Sequence, residues 1–80
     1  MPEYRFTEHF LFVLNLKRSY LRPEWCIRVI ESPVKREVQA DGRIRFWGPV
    51  PELGARTLRV VTFPDERTIL TAFLDRRFRP

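Results

Sequence analysis

Arginine is the residue type in this chain whose number and position point most directly to chemistry. Thirteen of the fifteen basic residues are arginine, and nine of those arginines follow position 35. The planar guanidinium group suits bidentate contacts with phosphate, whereas the lysine ammonium group acts as a point charge. This arginine-rich half predicts an RNA-binding surface, and the alternative is an ordinary solvated face.

Cleavage of RNA without a metal needs a base, an acid and cations that hold the charge of the phosphorane. His9 is the only histidine, and a position near a helix N-terminus favours the neutral imidazole, which suits a base. Capping or packing near the helix start is its alternative role. The predicted phosphate ligands are Arg45, Arg59 and Arg76, with Arg43 and Arg77 as further RNA contacts. Each of these arginines could instead be a solvated surface residue.

Two other side chains are candidates for the same site. Trp47 points outward on its predicted strand, where it could stack on an exposed base, cover loop 48–56 or anchor a protein partner. Asp75 follows the last predicted strand and could act as a base, orient Arg76 or His9, or cap the end of the strand. Glu37 beside Arg45 would hold that arginine in an ion pair.

Other kinds of chemistry have little support in the sequence. One histidine and one cysteine give no metal-ligand spacing, so no metal or other cofactor is predicted. Cys26 lies on an apolar helix face, which indicates a small core residue rather than a catalytic thiol. The three glycines form no nucleotide-binding loop.

The composition predicts one small folded domain over residues 1–80. The chain is 44% hydrophobic and 14% aromatic, unlike a disordered tail. Its net charge of +5 favours a polyanion or an acidic protein as partner. The single cysteine, the lack of a signal-peptide pattern and the short apolar run Phe10 to Leu14 predict a cytoplasmic protein without a membrane segment.

Two helices are predicted in the first half. The first covers residues 7–20, with Thr7 as N-cap, and its core face carries apolar residues at three- and four-residue spacing: Phe6, Phe10, Val13 and Leu14, continued by Lys17. Leu11, Phe12 and Leu16 lie off that face, so this helix is either buried on two sides or turns one apolar side toward a partner. The second helix covers residues 23–31, with Cys26, Val29 and Ile30 directed inward.

After Pro33 the hydrophobic period changes from helical spacing to alternation. Strands are predicted over residues 35–39, 43–48, 58–63 and 68–74, with a loop over 48–56 and a turn over 64–67. A three-residue loop with a left-handed Gly42 pairs Val38 with Ile44. The predicted fold is α+β, with two N-terminal helices packed on one face of a four-stranded antiparallel sheet. The other face is expected to be partly open and to carry arginines.

Several local patterns, taken in order, resemble the RelE-like toxin superfamily, in particular BrnT-like toxins and a related small uncharacterised family. They are Phe6-Thr7-Glu8-His9 with Arg18, Trp25 to Pro33, Asp41-Gly42-Arg43, Leu58-Arg59-Val60-Val61, and Thr68 to Phe73. The resemblance implies a RelE-like domain, ribonuclease activity on RNA and a small acidic antitoxin-like partner.

The leading hypothesis is a toxin-like component of a toxin–antitoxin pair. It would be a metal-independent endoribonuclease with His9 as base and with Arg45, Arg59 and Arg76 on the phosphate. The alternative is a catalytically inactive interaction module that binds a small acidic protein or nucleic acid. RelE-like ribonucleases commonly use a tyrosine near the C-terminus, whereas this chain carries Phe78 there, which favours the alternative.

Overall fold

The computed structural model describes residues 3–78, in which two helices lie on one face of a five-stranded sheet. The elements are β1 (Arg5–Phe6), α1 (Glu8–Leu16), α2 (Pro23–Glu31), β2 (Lys35–Val38), β3 (Ile44–Val50), a short 3₁₀ helix (Pro51–Leu53), β4 (Arg56–Thr62) and β5 (Thr68–Leu74). The order across the sheet is β1-β5-β4-β3-β2. The α+β class is as the sequence predicts, but the predicted sheet is wrong.

The prediction of a four-stranded antiparallel sheet fails because β1 adds a parallel edge strand next to β5. Arg5 pairs with Thr68 and Phe6 with Ile69, and the Arg5 amide donates to the Arg67 carbonyl at 2.8 Å. The Phe6 ring stacks on Phe10 of α1 at 5.5 Å. A strand of two residues shows no alternation that sequence reasoning could detect, and only these distant contacts define it.

The helix starts agree with the sequence signals. Thr7 is the N-cap of α1, where its hydroxyl accepts from the Phe10 amide at 3.1 Å. α2 spans the predicted range and buries Cys26, Val29 and Ile30. Burial raises the pKa of the Cys26 thiol to about 12, so that this residue is an unreactive part of the core. α1 ends at Leu16, four residues early, because the chain turns to bury Leu21.

The hairpin between β2 and β3 has the predicted register. Val38 pairs with Ile44 and Glu37 with Arg45, and Gly42 has a φ of 91°, a conformation that suits glycine. Val38 nevertheless stays exposed, since α2 packs on β3 and β4 and leaves the outer strand uncovered.

The predicted loop over residues 48–56 is shorter in the structure, because residues 48–50 and 56 belong to strands. β3 continues to Val50, and Pro49 pairs with Thr57 of β4. β2 pairs with β3 only as far as Trp47, so Pro49 has no neighbouring strand on that side, and proline is tolerated at such an edge. Gly48 faces the core, where a Cβ atom would lie 3.2 Å from Val29 Cγ2. Only residues 51–55 connect the two strands.

The alternation of β3, β4 and β5 gives the sheet two different faces. The helix-covered face carries the core residues Ile44, Phe46, Val50, Leu58, Val60, Ile69 and Ala72. The open face carries Arg45, Trp47, Arg59, Val61 and Phe73. Within residues 3–78, no helix has the length and apolar character needed to cross a membrane.

Packing of α1 on the sheet depends on Phe10, which is fully buried and contacts Phe6. We expect Phe10→Ala to lower the free energy of unfolding by about 3–5 kcal/mol, because it leaves a cavity. Phe63→Ala makes the same change at an exposed position and should cost about 1 kcal/mol or less. Chemical denaturation of both variants at equal concentration measures the difference, and equal losses would contradict this packing.

Candidate nucleic-acid interface

Trp47 lies at the centre of the open face and is only 5% exposed. The Phe78 ring stacks on it with centroids 5.4 Å apart, while Lys35 Nζ lies 5.7 Å and Arg59 Cζ 5.6 Å from the indole centroid. The sequence predicts that Trp47 points to the open face, and it does. Its neighbours cover the ring, however, so the indole presents little surface for stacking on a base.

Arg59 is held next to Trp47 by an aromatic ring and a carboxylate. Its guanidinium carbon lies 4.7 Å from the Phe73 centroid, and its Nε lies 3.7 Å from Asp75 Oδ2. That distance allows ionic attraction but is too long for a hydrogen bond. Arg59 Nε is buried and has no hydrogen-bond partner among the described residues 3–78. Arg59 is thus mostly enclosed in the protein, with its charge opposed by Asp75.

Asp75 fixes the segment that follows β5. Its Oδ2 accepts from Trp47 Nε1 at 3.0 Å, its Oδ1 accepts from the Arg77 amide at 3.1 Å, and its own amide donates to the Thr57 carbonyl. The hydrogen bond from Trp47, aided by the Arg77 amide and the Arg59 charge, lowers the pKa of Asp75. Asp75 therefore stays ionised near neutral pH and is a weak base.

An open cleft of about 520 Å³ lies beside this segment, between the start of β4 and the end of β5. It is lined by Ala55, Arg56, Thr57, Leu74, Asp75, Arg76 and Phe78. Arg56 and Arg76 are exposed, and neither is ion-paired with another of the described residues 3–78. We call this region the Arg56–Arg76 cleft. It presents two uncompensated positive charges at the end of the sheet where β4 begins and β5 ends.

The other predicted arginines are further from this cleft or have carboxylate partners. Arg45 lies on the open face, where Glu37 accepts from its Nη1 at 3.2 Å. Arg43 sits in the hairpin loop with its Nε 3.6 Å from Asp41. Arg77 is exposed one residue beyond Arg76. The structure thus brings Arg59 and Trp47 into contact, with Arg76 in the adjoining cleft.

His9 is not part of this group. It is exposed on α1, whose buried residues Phe10, Val13 and Leu14 face the helix-covered side of the sheet. Arg45 and Arg59 project from the opposite side. The predicted combination of His9 as base with these two arginines on the phosphate therefore finds no geometric support.

Sequence reasoning missed Arg56 because it fell in the predicted loop 48–56. Once Pro49 and Val50 are recognised as strand, Arg56 becomes the first residue of β4, opposite Val50. Asp75 was a candidate base or capping residue, and its bond to Trp47 had no local signal. Among residues 3–78, no three histidine, cysteine or acidic side chains are grouped so that they could hold a metal.

Comparison with known proteins gives no family for this chain. No protein-family model matches it, and neither does any curated protein or solved structure. The resemblance to RelE-like toxins therefore remains a prediction.

The Asp75–Trp47 hydrogen bond can be followed by the pH dependence of the Trp47 indole N–H resonance. Because the pKa of Asp75 is lowered in the folded protein, we expect this resonance to titrate with a midpoint below the unperturbed value of about 3.9. The stabilisation of the folded protein by ionised Asp75 is present above the unperturbed pKa and is lost as the pH falls through the pKa of Asp75 in the folded protein.

Heteronuclear NMR measures this titration, and Trp25→Phe assigns the two indole signals. Asp75→Asn keeps an acceptor for Trp47 but removes the charge, so the acidic titration should disappear in that variant. A midpoint at or above about 3.9 in the wild type would contradict the proposed bond.

Proposed function

We propose that this protein binds single-stranded RNA through the Arg56–Arg76 cleft and acts as an interaction module rather than as a ribonuclease. The observation that carries the proposal is the pair of exposed arginines without carboxylate partners that lines one cleft. Guanidinium groups with free donors are the side chains best suited to phosphate. An open cleft admits a single strand whose bases are splayed apart, as in most sequence-specific RNA recognition.

The distribution of ion pairs supports this location. Among residues 3–78, five arginines have carboxylate partners within 4 Å: Arg28, Arg36, Arg43, Arg45 and Arg59. Their charges are partly compensated before any ligand approaches. Arg56 and Arg76 keep their full charge, and Asp75, the one acidic side chain among the described residues that line the cleft, is engaged by Trp47. The cleft therefore carries a positive charge that attracts phosphate.

The chemistry of the cleft favours binding over cleavage. No histidine lines it, and the pKa of its one carboxyl is below the usual value because Trp47 donates a hydrogen bond to it. A general base or acid works best with a pKa near the operating pH. The lining residues can hold phosphate but supply no group that exchanges a proton easily at neutral pH.

A double substitution, Arg56→Gln with Arg76→Gln, should weaken binding of a short labelled oligouridine by roughly a hundredfold. Each charged hydrogen-bonding contact contributes about 1.5 kcal/mol, or about tenfold. The slope of log K against log salt should fall by about 1.4, since each phosphate contact on a single strand contributes about 0.7. Fluorescence anisotropy over a salt series measures both quantities.

The matched control is Arg5→Gln with Arg67→Gln, which removes the same charge at the opposite end of β5. It should weaken binding only slightly, through the lower net charge. An equal loss in the two double variants would contradict a site in the cleft and indicate general attraction to a basic protein.

The alternative hypothesis, a toxin-like ribonuclease, predicts a different result when the same protein is mixed with oligouridine or expressed in cells. An interaction module leaves the oligouridine at full length and allows normal growth when the protein is expressed. RNA fragments and growth arrest that disappear in His9→Ala, at equal soluble levels of both proteins, would overturn the inactive module in favour of the ribonuclease. A small acidic partner protein would compete with RNA for Arg56 and Arg76 under either hypothesis.

A further inference from the structure

The strand β2 leaves one of its two edges without a neighbouring strand. It is the last strand in the order β1-β5-β4-β3-β2, next to β3 alone. All of its residues, Lys35–Val38, are exposed. Among residues 3–78, no second segment forms backbone hydrogen bonds with the outer edge of β2. An exposed edge of this kind presents peptide groups that can pair with a strand of another molecule.

The hairpin geometry shows which peptide groups of β2 point outward. The Gln39 amide donates to the Arg43 carbonyl at 2.8 Å, so the peptide groups of Gln39 face β3. Successive residues of an antiparallel strand alternate in this respect. Glu37 therefore also faces β3, whereas Arg36 and Val38 present their N–H and C=O groups at the outer edge. An antiparallel partner strand would form its hydrogen bonds with these two residues.

The charged side chains of β2 have a self-complementary order. Lys35 Nζ lies 5.7 Å from the centroid of the Trp47 ring, and Glu37 accepts from Arg45 at 3.2 Å, so both residues lie on the open face of the sheet. They carry opposite charges two positions apart. A second β2 in antiparallel orientation, centred on Arg36, brings Lys35 of each copy opposite Glu37 of the other. Opposite charges in such cross-strand pairs stabilise a sheet.

We propose that two copies of this chain pair through their β2 strands about a two-fold axis at Arg36, so that the two five-stranded sheets become one. The Arg36 amide of each copy then donates to the Arg36 carbonyl of the other. The two Lys35–Glu37 pairs flank this centre at positions without backbone hydrogen bonds, where opposite side chains are closest. The Arg56–Arg76 cleft lies along β4 and β5, so the inference is independent of the RNA-binding proposal.

The remaining side chains of β2 are compatible with this register. The two Arg36 side chains approach each other on the opposite side of the sheet, but the charge of each is already compensated by Glu66, whose Oε1 lies 2.9 Å from Arg36 Nε. Val38 comes opposite Val34 of the second copy. These valines are 55% and 57% exposed in the single chain, so the pairing removes apolar surface from water.

Sedimentation equilibrium of the full chain over a range of concentrations tests the association. The wild-type chain should form a dimer, and Arg36→Pro should weaken dimerisation on the order of a hundredfold, because proline lacks the outward N–H. The hydrogen bonds to β3 do not use that N–H, and proline is tolerated at such an edge. A wild-type chain that stays monomeric at all accessible concentrations would overturn the proposal and leave the edge to an extended segment of another protein.

Arg36→Gln is the matched control for the proline variant. It removes the same charge and the ion pair with Glu66 but keeps the amide, so its dimer should be at least as stable as that of the wild type. Equal dimerisation of Arg36→Pro and Arg36→Gln would contradict a contact made by the backbone of β2. Circular dichroism confirms that each variant is folded.

Charge reversal tests the register without a change to the backbone. Lys35→Glu should weaken the dimer by roughly threefold to tenfold, because two attractive pairs become repulsive. Adding Glu37→Lys to that variant should restore most of the affinity, since the pairs are re-formed with opposite signs. A double variant as weak as Lys35→Glu alone would overturn the pairing centred on Arg36.

Amide hydrogen exchange locates the contact within the dimer. The Arg36 amide should exchange more slowly as the protein concentration rises, whereas the Glu37 amide, which faces β3, should be protected at every concentration. A dimer in which the Arg36 amide exchanges as fast as in dilute solution would be formed by another surface and would overturn the proposal.

Discussion

The burial of Trp47 under Phe78 is the interaction on which the open face of this protein depends. An indole ring enclosed by neighbours needs an acceptor for its N–H group, because an unpaired buried donor is costly. Asp75 supplies that acceptor at 3.0 Å. The same carboxylate accepts a hydrogen bond from the Arg77 amide and compensates the positive charge of Arg59. One side chain thus secures a ring, a cation and the segment after β5.

This arrangement also creates the cleft. The Asp75 amide is bound to the Thr57 carbonyl, so the segment after β5 follows the start of β4 and forms one wall with Asp75, Arg76 and Phe78. The other wall comes from residues 55–57, where the chain enters β4 after the short 3₁₀ helix. Exposed ion pairs contribute little to stability. None of the ion pairs among residues 3–78 involves Arg56 or Arg76, so these two cleft residues keep uncompensated charge.

Local signals in the sequence identified most of the fold. The Thr7 cap, the boundaries of α2 and the three-residue hairpin loop each depend on a few neighbouring residues, and the structure confirms all three. The parallel strand β1 and the extension of β3 through Pro49 depend on which strands lie alongside. Such pairings join distant parts of the chain and leave no periodic pattern, so the predicted sheet lacked a strand and contained too long a loop.

The site was predictable to a smaller extent, for the same reason. Alternation along β3 and β4 placed Trp47 and Arg59 on one face, where they are in contact. The predicted hairpin register also placed Glu37 beside Arg45, and the two form an ion pair. Alternation cannot show that Phe78 returns to cover Trp47, or that Asp75 opposes the charge of Arg59. His9 was selected for its residue type, and residue type carries no information about which side of the sheet a helix covers.

The most direct test of RNA binding in the Arg56–Arg76 cleft is to observe the arginine side chains themselves while RNA is added. Arginine Nε–H resonances of the full chain can be followed by NMR during titration with oligouridine. We expect the signals of Arg56 and Arg76 to move first and to saturate together, while those of Arg5 and Arg67 stay in place. Movement confined to Arg5 and Arg67, or no movement of the cleft arginines at saturating RNA, would contradict it.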